Sequence, residues 1–305
     1  MRTVLLWMAD NGWLRRNLPR LPFARRAVRR FMPGETIEEA LEAAELFRPH
    51  GIAVLMTRLG ENLADVGEAE AVVEHYHRVL DMLRARGLDG EVSLKLTQVG
   101  LDLDAGVTYQ HVASLAAHAA QGGTTLWIDM ESSGYVDRSL ELYRRLKVDH
   151  HNVGICLQSY LRRTPADLHA LLPLRPHIRL VKGAYHEPER VAFHRKVEVD
   201  AAFQALAVTM LPHLADGRLR LGLGTHDTAL IERIAGHARA AGVAVDAFEV
   251  QMLYGVRMDE QRRLAAEGYA VRDLISYGEA WYAWYMRRLA ERPANIVFAL
   301  RQLLG

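Results

Sequence analysis

Residues 178–185 read IRLVKGAY: an apolar run through Val181 that breaks at Lys182, Gly183, Ala184 and Tyr185 and gives way to an amphipathic stretch over 197–214. A short apolar or β-branched run, then a polar cluster, then helical periodicity makes one strand-helix unit. Working outward, the same order recurs along the chain. Strand candidates are GIAVLMTRLGE (51–61), EVSLKLTQVG (91–100), TTLWIDMES (124–132), VGICLQSYL (153–161), IRLVKGAY (178–185), RLRLGLGTHD (218–227), DAFEVQMLYG (246–255) and AVRDLISYG (270–278). Helical stretches fall at 67–86, 107–121, 137–147, 165–172, 197–214, 228–241, 259–267 and 279–291, and another at 36–48 follows Pro33-Gly34. Parallel neighbours need a crossover that a helix supplies, so eight such units predict an α/β fold, a closed (βα)8 TIM-like barrel. No GxGxxG follows the first strand, and GLGTHD comes too late and lacks the third glycine, which argues against an open dinucleotide-binding sheet. The catalytic barrel is expected over 35–305, with residues 1–34 as a basic N-terminal helical extension.

A chain of 305 residues, 50% hydrophobic and 25% charged, can bury such a core and is neither disordered nor a small stapled scaffold. No apolar run is long enough to span a bilayer and the N-terminus lacks a signal-peptide pattern, so a cytoplasmic protein is expected. The single cysteine, Cys156 in VGICLQ, reads as buried packing. A net charge of +1 gives no global case for nucleic acid. Residues 1–30, however, carry eight arginines against the single acid Asp10. In NLPRLPFARRAVRRF the apolar Leu21, Phe23, Val28 and Phe31 interleave with Arg25, Arg26, Arg29 and Arg30. That pattern suits a solvated helix packed on the barrel, or peripheral contact with anionic lipid at the inner membrane face.

Active sites of such barrels gather at the C-terminal strand ends. The strand candidates become polar there: Arg58 and Glu61, Lys95 and Gln98, Asp129 and Glu131, Gln158 and Tyr160, Lys182 and Tyr185, His226 and Asp227, Gln251 and Tyr254, and Tyr277. One polar strand end is ordinary; eight in series point to a site. Only four lysines occur, and Lys95 in SLKL and Lys182 in LVKG sit in strand candidates where a buried charge needs a partner or a ligand. Asp129 is a candidate partner for Lys95. Lys182 suits a Schiff base or a phosphate contact, with Gly183 letting backbone come close. The histidines show no metal spacing, and His226 beside Thr225 and Asp227 reads as a group that orients a neighbour or cofactor. Arg287 and Arg288 offer paired forks for a carboxylate or phosphate, or else an exposed pair bridged by Glu291.

Taken together, SLKLTQVGLDL, WIDMES, LQSYLRRT, RLVKGAY, GTHD, FEVQMLYGVR and MRRLAERPAN resemble, in order, the strand ends of the monofunctional bacterial proline dehydrogenases, from about residue 35 to the end. The resemblance implies a barrel with non-covalent FAD that oxidises proline to Δ1-pyrroline-5-carboxylate by hydride transfer to flavin N5, the first step of proline degradation to glutamate, and passes electrons to a quinone. It implies Lys95 as a substrate-binding lysine and Asp129 as the active-site aspartate. Met130, Gln158, Lys182, Gly183, Ala184, Thr225 and His226 resemble cofactor contacts. Arg179 is similar to the arginine held near flavin N5. Leu253 resembles an apolar wall of the substrate pocket, and Arg287 and Arg288 the pair that grips the substrate carboxylate. Positive charge at Arg179 suits a ring that gains electrons, and a bidentate carboxylate anchor suits a fixed reacting pose.

The chain departs from the family pattern at two substrate-side positions. Trp284 stands where the family has a tyrosine three residues before the arginine pair, and Leu274 where it has one three residues before the Tyr-Gly of the last strand. Tyr277 and Tyr285 lie close in sequence and are candidates to replace the lost hydroxyls. A proline analogue such as hydroxyproline, or a larger or substituted ring, therefore competes with proline as the substrate. The same residues also fit a Schiff-base lyase or aldolase using Lys182, or a non-catalytic binding protein that keeps the barrel.

Overall fold

The computed structural model describes residues 7, 11–17, 28–60, 63, 65–282 and 284–286. Eight parallel strands close into a barrel in sequence order: β1 Ala53–Arg58, β2 Gly90–Lys95, β3 Leu126–Asp129, β4 Val153–Gln158, β5 His177–Val181, β6 Arg220–Gly224, β7 Glu249–Leu253 and β8 Ala270–Tyr277, with β8 pairing back onto β1. Helices Val66–Ala85, Ala105–Gln121, Val136–Asp149, Thr164–Leu171, Lys196–Ala215, Thr228–Ala240 and Met258–Ala266 fill the crossovers. The expected (βα)8 architecture is the observed one. The strands are shorter than their sequence candidates because the late polar residues leave the ladder and turn into loops. Lys182, read from sequence as a strand interior, lies just beyond the end of β5.

Local chemistry sets the helix starts. Thr36 and Glu39 form a capping box for helix Ile37–Glu45, which packs beside β8. Asp65, Asp104 and Asp227 each accept backbone N–H groups at the start of the helix that follows β1, β2 and β6. Each such acceptor contributes about 1 kcal/mol to its helix.

Side-chain alternation divides the strands between two environments. Outward residues such as Val54, Met56, Leu94, Ile128, Ile155, Leu180, Leu223 and Val250 bury against the helices in one continuous core. Burying an aliphatic side chain of this size contributes roughly 1.5–3 kcal/mol. The outer layer also takes Cys156, whose thiol burial pushes up to about 12. Inward residues are more polar and fill the barrel in layers. A smaller apolar cluster joins Val28, Phe31 and Met32 to Leu59, Trp281, Tyr282, Tyr285 and Met286. Gly255 makes this approach feasible: at φ +72°, a Cβ there would lie 1.5 Å from the Arg30 carbonyl oxygen. Residues 28–32 thus pack against the segment that follows β8.

Candidate functional site

Near the N-terminal strand ends, the inward residues form a closed ion network. Arg220 Nη1 donates to Glu91 Oε1 at 2.5 Å, and Arg272 Nε donates to Glu249 Oε1 at 3.0 Å and lies 3.5 Å from Glu91 Oε2. The indole Nε1 of Trp127 donates to Glu91 Oε2 at 2.7 Å. Burial alone would push the Glu249 carboxyl up, yet Arg272 and Arg220 beside it hold it below the usual glutamate value. Every charge in this layer has an opposite neighbour.

One layer higher the arrangement changes. Arg179 on β5 is only 5% exposed, and burial pushes its guanidinium down to about 10. Its Nη2 donates to Asp129 Oδ1 on β3 and, at 3.3 Å, to Ser93 Oγ on β2. Ser93 Oγ in turn donates to the same Asp129 oxygen at 2.5 Å. Arg179 Nε and Nη1, Gln158 Oε1, Gln251 Oε1 and Ser276 Oγ are buried with no hydrogen-bond partner among the described residues. Buried polar groups are almost always paired in native structures, so this concentration marks a place where a ligand completes the bonding. The inward side chains at the C-terminal ends, Lys95, Asp129, Val181, Leu253 and Leu274, are half-buried rather than sealed, so the mouth is accessible. Register sets Lys95 opposite Asp129 and Leu274 between Leu55 and Leu253.

The other expected site residues ring this mouth. Gln158 Nε2 donates to the Met130 carbonyl at 3.2 Å, while the Met130 side chain turns into the outer core. Lys182 Nζ donates to Asp200 Oδ1 at 2.6 Å and Asp227 Oδ2 at 3.2 Å. Burial would raise the Asp227 carboxyl, but the Lys182 bond outweighs it and holds the group at about 2. Gly183 sits at φ +113°, and a Cβ there would lie 2.2 Å from the Tyr160 ring, so that ring as well as any ligand requires the glycine. Ala184 follows, half-buried. Thr225 Oγ1 accepts from the Asp227 N–H at 3.2 Å. His226 Nε2 accepts from the Leu253 N–H at 2.9 Å, which leaves the ring proton on Nδ1 and ties β6 to β7. Trp284 packs half-buried against the second apolar cluster, and Arg287 and Arg288 lie outside the described residues.

Several late-strand polar residues serve the scaffold. Gln98 Nε2 donates to the Arg58 carbonyl at 2.8 Å, and Glu131 accepts from Thr97 Oγ1 at 2.7 Å. Tyr254 stacks edge-on to Phe47. Tyr277 does not replace the tyrosine missing at 274: it faces outward, with its hydroxyl 2.8 Å from His75 Nε2. Tyr285 is buried between Phe31 and Trp281, and burial pushes its hydroxyl up to about 12. Among the described residues, no group of three His, Cys, Asp or Glu side chains could hold a metal, and no helix is long and apolar enough to cross a membrane.

The family model for proline dehydrogenase matches residues 40–301. The chain belongs to the proline dehydrogenase family. Proline dehydrogenase 1 of Bacillus subtilis subsp. natto is 35% identical over 304 residues, covering 100% of this chain and 99% of that one. Proline dehydrogenase of Deinococcus radiodurans is 38% identical over 282 residues, covering 90% and 89%. In fold, the chain is similar to proline utilization A of Bdellovibrio bacteriovorus, solved after inactivation by N-propargylglycine, with a TM-score of 0.80 at 20% identity. That match covers 94% of this chain but spans 38% of the longer one. The chain is thus an oxidoreductase of the proline dehydrogenase type.

Family membership implies a flavin, and the polar groups present fit one. A flavin ring edge alternates acceptors with an N–H donor. The unpaired N–H groups of Arg179 and the unpaired oxygens of Gln158, Gln251 and Ser276 are the complementary set. Sequence reasoning missed Ser93, Trp127 and Ser276, each two residues from a position it weighed and on the same inward face. Period-two alternation was the available signal.

Proposed function

We propose that the protein oxidises L-proline to Δ1-pyrroline-5-carboxylate with FAD held in the C-terminal mouth of the barrel. In this reaction the substrate ring loses a hydride from C5 and a proton from nitrogen, and its C5–N bond becomes double. Bound FAD would supply the two-electron acceptor. The observation that carries the reading is Arg179, buried and bonded to Asp129, with its remaining N–H groups unsatisfied. It holds fixed positive charge in a dry layer, where charge acts most strongly. Asp129 and Lys95, opposite one another across β2 and β3, are the polar groups for the substrate, with Arg287 and Arg288 as its carboxylate anchor. Gln158, Lys182, Gly183, Ala184, Thr225, His226 and the Met130 main chain would hold the cofactor. Leu253 and Trp284 are apolar walls.

The Schiff-base reading of Lys182 loses support, because Asp200 and Asp227 occupy its donors where imine chemistry needs a free amine. A second substrate reading gains some. Leu274 lies between Leu55 and Leu253 in the register, making one side of the mouth hydrocarbon, which suits an alkyl-substituted or larger ring. Electrons would leave to a quinone, and the basic N-terminal residues are the segment that would meet a membrane surface. The test is anaerobic addition of L-proline, then of a panel of cyclic amino acids, to the purified protein. Bleaching of the flavin absorbance by proline is expected. Bleaching only by an analogue would transfer the reaction to that ring, and a colourless protein would remove the reading.

A further inference from the structure

Arg179 is held by few bonds for a buried cation. Only one of its three guanidinium nitrogens is bonded, to Asp129 and Ser93. A long side chain with several rotatable bonds is not fixed by one nitrogen, so something else must set the plane of its fork. The Trp127 ring is what it faces: Arg179 Cζ lies 5.9 Å from the ring centroid. Arg220 Cζ lies 5.4 Å from the same ring. Two cations therefore share one indole.

The indole is itself immobilised. Its Nε1 donates to the buried Glu91 carboxylate. On the neighbouring strand Gly154 leaves the space the ring occupies, since a Cβ there would come 2.4 Å from Trp127 Cε3. Trp127 is fully buried and stands two residues before Asp129, so one face of β3 presents both the ring and the carboxylate to Arg179. Below the ring lie Glu91, Glu249, Arg220 and Arg272; the two glutamates favour the charged form of Arg179 against its burial.

We infer that Trp127 is the positioning residue for Arg179: it is the rigid platform that aims the unpaired guanidinium N–H groups at the cofactor, locked from beneath by Glu91 and given its space by Gly154. The inference rests on the flavin reading of the same site. Cation–π contact in a desolvated setting is strong enough to orient a guanidinium, and loss of the platform leaves Arg179 its charge but not its direction.

The test uses the flavin-loaded enzyme and reads the flavin midpoint potential beside kcat, KM and thermal stability. Trp127→Leu is expected to make the potential more negative and to lower kcat about tenfold with KM little changed, the pattern of a lost orienting contact. Trp127→Phe, which keeps a ring face, should recover most of the potential and carries the test if the leucine variant does not fold. Arg179→Met should shift the potential further in the same direction, and adding Trp127→Leu to it should produce no additional shift. A wild-type potential in both Trp127 variants while Arg179→Met moves it, or shifts that add in full, would overturn the inference and leave the flavin reading standing. An Arg179→Met protein whose flavin potential is unmoved would instead bring down the role given to Arg179, and this inference with it.

Discussion

The two ends of the barrel interior are built from the same residue types and treat them oppositely. At the N-terminal end, Glu91, Glu249, Arg220 and Arg272 satisfy one another through bonds and contacts of 2.5–3.5 Å. One layer up, Arg179 bonds through one nitrogen and leaves two unpaired, and the oxygens of Gln158, Gln251 and Ser276 are orphaned near it. The first arrangement commits its polarity to the fold, the second keeps it for a ligand. Burial and charge alone do not distinguish a structural ion network from a site, whereas the count of unmet hydrogen bonds does.

The sharpest way to break this contrast is to damage the lower layer. Glu91→Ala should strand Arg220, Arg272 and the Trp127 N–H, with an expected loss of about 3–5 kcal/mol in urea unfolding. If the two layers are as different as described, the upper one responds in activity instead. Asp129→Ala should cost about 2.7–4 kcal/mol of transition-state stabilisation, seen as a fall in kcat/KM of roughly two to three orders of magnitude. A smaller effect comes from two histidines that the fold keeps neutral. Burial, followed by nearby cations, pushes His75 down to about 4 and His177 to about 3, from 6.5. As pH falls below 6.5 the unfolded chain takes up these protons and the folded chain does not. Stability present above that pH is therefore lost on acidification, at up to about 1.4 kcal/mol per pH unit for each histidine. His75→Gln should flatten the thermal midpoint between pH 6.5 and about 4, read by calorimetry. Least costly is Gly183→Ala, at about 1–3 kcal/mol for its left-handed backbone and the Tyr160 ring. It should weaken flavin retention as well as the thermal midpoint.

Much of this was legible from the chain. The β5 run His177–Val181 and its seven counterparts stand out because a strand buried on both faces must be apolar and β-branched. The polar strand ends pointed to the correct rim. They did not separate the site from its supports: pairs such as Lys95 and Gln98, three apart at the end of a strand, cannot both face inward by strand alternation. Gln98 instead braces the Arg58 carbonyl. Tyr277 looked like a substitute hydroxyl for the site and proved to be a partner of His75 on the outside of the barrel. Lys182 looked like a nucleophile until Asp200, eighteen residues away, closed on it.

By itself the sequence determined the (βα)8 barrel, its family and the rim where chemistry gathers, because hydrophobic periodicity and local motifs are written in consecutive residues. Only the tertiary structure decided which polar side chains meet and which are left unpaired. Arg179 and Asp129 are fifty residues apart and Glu91 and Arg220 more than a hundred, and their bonding depends on the radial position and inward phase that closure of the barrel imposes. Pairing across that distance is a property of the closed sheet, and so is the difference between a charge that holds the fold and one that waits for a ligand.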